Sequence, residues 1–161
     1  MSRSGLQKEL KKKSAFESLE QEVTLAILRT NDQLQIRFAR LFREFGLTTS
    51  QYNVLRILRG EGKPLPILEI AERTVTVVPG ITGLIDRLEQ AGHVKRERCL
   101  EDRRVIYVAL TDQGKRTLAS LDKPVVALHA KVLARLAPSE LKELVRLLEK
   151  ARAAMSEESA D

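Results

Sequence analysis

Tryptophan is absent from the 161-residue sequence, cysteine occurs once and histidine twice. The single thiol, Cys99, excludes an internal disulfide and points to a reducing compartment. His93 and His129 stand far apart, with no neighbouring cysteine or paired acid, so the spacing fits no zinc site and both are expected at ordinary polar positions. There is no phosphate-binding glycine loop and no recognisable nucleophile motif, which argues against an enzyme and leaves no cofactor to expect. Arg, Glu or Asp interrupts every leucine-rich segment, so no apolar run is long enough to span a bilayer, and no secretory leader is recognisable. These absences lead to the expectation of a cytoplasmic protein with neither a metal nor a membrane partner.

What is present is charge, unevenly spread. The formal net charge is +6, of which residues 1–13 carry +4 and residues 155–161 carry −3, so residues 14–154 hold +5 of their own. A basic body favours a polyanionic partner, although solubility charge with a ragged basic tail explains the same balance on composition alone. A chain of this length is expected to form one domain with a real core.

Apolar residues recur at Val23, Ile27, Leu34, Phe38, Leu41, Phe42 and Phe45 in helical steps, predicting a long amphipathic helix that ends before Gly46. Thr48 and Gln51 have capping-box spacing for a second helix, with Gly60 at its end. Leu65 lies between two prolines and allows at most a short edge strand. Two short helices follow, over about 66–74 and 78–91, separated by Val75, Thr76 and Val77. Two strand-like runs come next, in "VKRERCLEDRRVIYVAL" at residues 94–110. Thr111 can cap a helix over about 112–136, kinked near Leu121 by Pro124, and a last helix runs over about 138–153. Ala137 cannot cap that last helix with a side chain.

Two helices joined by a three-residue turn and followed by a basic ribbon form a pattern suited to nucleic acid. In the second helix Ile81, Leu84, Ile85 and Leu88 share one face and should pack inward. The opposite face carries Pro79, Thr82, Gly83, Asp86 and Gln90, with neither Arg nor Lys near its start to grip guanine. Small side chains there allow close approach to a groove, and base discrimination would rest on Thr82, on Pro79 against a thymine methyl, or on duplex shape. The ribbon carries Lys95, Arg96, Arg98, Arg103 and Arg104, while Ile106, Val108 and Leu110 are expected to anchor its second strand.

The ordered segments "GLTTSQYNVLRIL", "EIAERT", "PGITGLIDRLEQAGHVKRER", "EDRRVIYVALTDQGK" and "LAPSELKELVRLLEKAR" resemble the MarR family of bacterial winged helix-turn-helix transcriptional regulators, over about residues 20–153. The resemblance implies a mainly α fold with a small β wing. Charge and composition mark 1–13 as a basic, unstructured tail and 155–161 as an acidic one, and the resemblance implies an N-terminal dimerisation helix at 14–46, a winged helix-turn-helix domain at 47–111 and C-terminal dimerisation helices at 112–154. It further implies a homodimer that represses transcription by binding a pseudo-palindromic duplex and responds to a small-molecule effector. On this likeness Thr76, Pro79, Thr82 and Gly83 are the recognition-helix contacts, and Lys95, Arg96, Arg98, Asp102, Arg103 and Arg104 the wing contacts. Asp102 would brace a wing arginine, with Arg103 or Arg104 in the minor groove. Many relatives carry Arg where this chain has Gly83, which shifts weight onto the wing. Phe38, Phe42, Phe45 and Tyr52 are candidates to line an effector pocket, although core packing explains them more cheaply. Cys99 beside Lys95 and Arg98 invites a redox reading, but a lone strand cysteine is more often packing. A winged-helix module that docks an acidic protein partner is the alternative to a DNA-binding one.

Overall fold

Ser18, in extended conformation, accepts a hydrogen bond from the Gln21 N–H and starts the longest helix of the chain, while Glu20 and Glu22 complement the positive end of its dipole. The computed structural model describes residues 5–75, 78–98 and 105–157. Thr76, Cys99, Asp102, Arg103 and Arg104 lie outside the described residues. The elements are α1 (Gly5–Glu9), α2 (Leu19–Glu44), α3 (Thr49–Glu61), β1 (Leu65–Pro66), α4 (Ile67–Glu72), α5 (Ile81–Gln90), β2 (Val94–Arg98), β3 (Ile106–Leu110), α6 (Asp112–Val132) and α7 (Pro138–Glu157). The fold is mainly α, with one small antiparallel sheet in the order β1-β3-β2. Among the described residues, no helix is long and apolar enough to cross a membrane.

The predicted capping box of α3 is complete: the Gln51 N–H donates to Thr48 Oγ1 at 3.2 Å and the Thr48 N–H donates to Gln51 Oε1 at 2.8 Å. Such a box stabilises a helix start by about 1 kcal/mol. The helix runs past Gly60 and closes at Gly62, which takes the left-handed conformation (φ 73°) that a C-cap requires. Leu65 and Pro66 form the expected edge strand, Leu65 opposite Val108 and Pro66 opposite Tyr107. α4 is shorter than the predicted 66–74, because the Thr74 hydroxyl donates to the Ala71 carbonyl and closes its last turn.

Residues of the predicted N-terminal tail are folded: α1 occupies Gly5–Glu9, and the buried Gln7 donates from Nε2 to the Ser14 carbonyl at 2.9 Å. That one side chain satisfies backbone that would otherwise need water. α6 stops at Val132 instead of 136, where its last carbonyls turn to tighter three-residue bonds, Lys131 accepting from Ala134 and Leu133 from Leu136. Ala137 gives α7 no side-chain cap, yet its N–H donates to Glu140 Oε2 at 2.7 Å, so the reverse half of a capping box compensates.

Two compact units divide within α6, between Val125 and Val126. The reason lies in the first unit's core: Leu118 and Leu121, from the first half of α6, are fully buried there together with Val54, Leu55, Ile70, Ile85, Leu88 and Val108. Truncating any of these leucines to Ala would cost about 2–5 kcal/mol. The second unit holds the end of α6 and α7.

Candidate nucleic-acid interface

The expected recognition helix begins three residues later than its hydrophobic pattern suggests. Gly80 takes the left-handed conformation (φ 69°) and serves as N-cap of α5, so Pro79 stands in the preceding turn, exposed, and not on the helix. A left-handed residue cannot propagate a right-handed helix, which is why the pattern overshoots. Among the described residues no side chain caps α5, and no acid lies in its first turn. Its first N–H groups therefore keep the positive end of the helix dipole open to an anion.

Leu84, Ile85 and Leu88 bury one face of α5 as expected. Thr82, Arg87 and Gln90 are exposed on the other side, with Gly83 and Asp86 between them. A Cβ built on Gly83 meets nothing within 4 Å, so no packing constraint requires glycine there. Arg87 is not among the contacts expected from the sequence, which lie at the start of the helix. It lies one turn beyond Gly83 beside the outward face, so the same helical period could have found it.

The wing strands pair antiparallel, Val94 opposite Leu110 through Arg98 opposite Ile106. Val108 is fully buried, but Ile106 is exposed and does not anchor the strand as expected. The register explains this: β1 reaches only Val108 and Tyr107, so at Ile106 the sheet has narrowed to a two-stranded ribbon.

Arg96, an expected wing contact, is engaged within the protein. Its guanidinium turns back onto α5, donating to Asp86 Oδ1 at 2.5 Å, Glu89 Oε2 at 2.7 Å and the Thr82 carbonyl at 3.4 Å. Its backbone N–H donates to Glu89 Oε1 at 2.8 Å. Partial burial opposes the charge, but the hydrogen bonds that Arg96 donates to Asp86 and Glu89 outweigh it and hold Arg96 above the ordinary guanidinium value. The bracket fixes β2 to α5 and offsets one of the two carboxylate charges that would repel phosphate. Lys95 pairs with Glu97 at 2.7 Å, a bond that also raises its pKa, and Arg98 is exposed.

Three of the four expected pocket aromatics pack on one another. Phe42 and Tyr52 stack at 4.1 Å between centroids, 18° apart, and Phe38 leans on Phe42 at 6.0 Å. Rings in face contact leave no room for a third ring between them, so Phe42 and Tyr52 belong to the core. Phe38 and Phe45 remain half-buried at its edge. Burial pushes the Tyr52 hydroxyl up, against the pull of Arg56 and Arg59. Arg59 in turn forms a two-pronged pair with Asp122, at 3.0 and 2.7 Å, that ties α3 to α6.

His93, expected at an ordinary polar position, is buried between α5 and β2, and its Nδ1 has no hydrogen-bond partner among the described residues. Desolvation lowers its pKa below the usual 6.5.

A two-helix unit with an open helix N-terminus, backed by an antiparallel ribbon bracketed to the reading helix, defines a winged helix-turn-helix protein. The MarR family model matches residues 47–106. A MarR transcription factor of Planctomyces limnophilus is 44% identical in its crystal structure, covering 84% of this chain and 98% of that one, with a TM-score of 0.66. The HTH-type transcriptional repressor MdtR of Bacillus subtilis is 31% identical over 143 residues, 88% of this chain and 92% of that protein. The crystal structure of Bordetella bronchiseptica BpsR, whose DNA binding is regulated by 6-hydroxynicotinic acid, shares the fold at 23% identity and a TM-score of 0.73, covering 81% and 98% of the two chains. The chain belongs to the MarR family and is a DNA-binding transcriptional regulator, not an enzyme.

Proposed function

We propose that this regulator is a homodimeric, effector-responsive repressor that lays α5 in the major groove of a pseudo-palindromic duplex, with the wing reaching the adjacent minor groove. The observation that carries the reading is the open N-terminus of α5, flanked by exposed Thr82 and unobstructed Gly83, on a helix whose two flanking carboxylates are tied back by Arg96. Thr76, Pro79, Thr82 and Gly83 then approach the duplex closely, and Arg87 adds a cation one turn along. Lys95 and Arg98 face phosphates, and Arg103 or Arg104, braced by Asp102, enters the minor groove.

Dimerisation is supported by apolar side chains that each unit leaves in water. Leu19, Val23 and Ile27 recur every four residues on α2, and Leu144, Val145, Leu147 and Met155 are exposed on α7. Residues 14–46 and the helices of 112–154 supply this dimer body. An effector enters at the half-buried edge of the aromatic cluster, at Phe38 and Phe45. Repression and effector control are supported by the relatives that carry those properties.

Selection of genomic fragments with the purified protein, followed by footprinting and salt titration, tests this reading. The expected result is a two-fold symmetric footprint with half-site centres about 34 Å apart and an affinity that falls steeply with salt. A single unsymmetric half-site bound by a dimeric protein would overturn the arrangement.

A further inference from the structure

The end of the reading helix is held by another helix. Ala91, Gly92 and His93 follow α5, and their carbonyls lie where a helix C-terminus has no intrahelical donors left. All three are taken up by the start of α6. Gln113 Nε2 donates to the Ala91 carbonyl at 3.0 Å. Thr111 Oγ1 lies 2.6 Å from the Gly92 carbonyl and 3.0 Å from that of His93, while the Thr111 N–H donates to the His93 carbonyl at 3.1 Å. A hydroxyl has one proton, so its principal bond is the shorter one to Gly92, and His93 is served mainly by the amide. The same oxygen accepts from the Gly114 N–H at 3.1 Å, which caps α6.

The approach is close enough to require Gly114. A Cβ there would lie 2.3 Å from the His93 carbonyl oxygen and 2.7 Å from Leu110 Cδ1. Helix α6 then continues unbroken from this joint past Val125, where the first compact unit ends, to Val132.

We infer that Thr111 is a positioning residue for DNA recognition: its hydroxyl locks the end of α5 to α6 and so sets the angle at which α5 meets the groove. The inference rests on the placement of α5 in the major groove proposed above. Loss of the hydroxyl leaves the open end of α5 and the basic surface intact, so contacts to phosphate persist while those needing exact orientation are lost. Specific and non-specific binding should therefore separate.

The probe is the duplex that the wild-type protein enriches from genomic fragments, set against a random-sequence duplex of equal length at one salt concentration. Wild type, Thr111→Val and Thr111→Ser are titrated after urea unfolding shows each to be folded at the assay temperature. Thr111→Val is expected to lower the ratio of specific to non-specific affinity about tenfold, as loss of one well-made hydrogen bond implies. Thr111→Ser, which keeps the hydroxyl, should stay within about twofold of wild type. A merely structural role would lower both affinities in parallel through the folded fraction and leave the ratio alone. A folded Thr111→Val protein with the wild-type ratio overturns the inference, as does a Thr111→Ser protein that loses as much as Val. Gln113→Leu removes only the bond to Ala91 from an exposed side chain and folds irrespective of the threonine; an unchanged ratio there also counts against the joint. Failure of wild type to enrich any duplex would instead remove the groove-binding reading, and this inference with it.

Discussion

Replacing Arg96 with Ala tests whether the wing is mounted on the reading helix by charge. The guanidinium is about one-fifth exposed and serves Asp86 and Glu89 at 2.5 and 2.7 Å, so it is neither a surface pair nor a fully buried one. Removing one partner of a buried pair costs about 3–5 kcal/mol, and an exposed pair is worth about 0–1 kcal/mol. Asp86 and Glu89 remain 48% and 38% exposed and can regain water, which places the expected loss near ~2 kcal/mol. Arg146, paired with Glu143 at 2.6 Å with both side chains more than half exposed, is the internal control, and Arg146→Ala should cost under about 0.5 kcal/mol. In urea unfolding the two variants must therefore differ by well over 1 kcal/mol. Operator binding should weaken as well, because losing the one positive charge leaves one more net negative charge opposing a phosphate ~8 Å away, about 0.5 kcal/mol in water or roughly two- to threefold. Arg96→Ala in a Glu89→Gln background should lose clearly less than in wild type, since the partner charge is already gone. Equal unfolding midpoints for the Arg96 and Arg146 variants would refute the bracket.

Gly83→Ala should stabilise the fold by up to about 1 kcal/mol, because the site is helical and a Cβ meets nothing there; a lower urea midpoint would show a constraint the geometry does not contain. Gly83→Arg should tighten or narrow DNA preference, and identical selected sites and affinities in both proteins would refute that. His93 is held neutral by burial, so below pH 6.5 the unfolded chain takes up a proton that the folded one resists. Stability from this residue is therefore intact above pH 6.5 and declines as pH falls through that value. His93→Gln should flatten the decline in unfolding midpoint between neutral and mildly acid pH, and parallel curves for the two proteins would exclude the histidine. Arg103→Ala should weaken operator binding without changing the urea midpoint, and unaltered affinity would remove the minor-groove role.

The regular elements were legible because their signals are local. Thr48 with Gln51, Thr111 before α6 and the two prolines around Leu65 announce themselves within four residues, and each structure they imply is present. Choices that hinge on one backbone angle were not. Gly60 and Gly62 are equally good stops on paper, and only the left-handed conformation of Gly62 decides between them. Gly80 likewise moves the start of α5 beyond what apolar spacing can show. The face of α5 was readable from periodicity, whereas the task of Arg96 was hidden, since its partners lie seven and ten residues back and meet it only once β2 folds against the helix. Folding of residues 5–9 left no trace in composition because it rests on contacts with later residues, among them Gln7 with Ser14 and Glu9 with Arg29.

The joint at Thr111 grips main-chain carbonyls, which every amino acid carries alike. Substitutions along the outward side of α5 therefore leave the mounting untouched, while within the joint Gly114 is closed to change by the space it occupies. Such a chassis lets a lineage trade one operator alphabet for another by small steps, without first reinventing the hinge-pin that carries the reader.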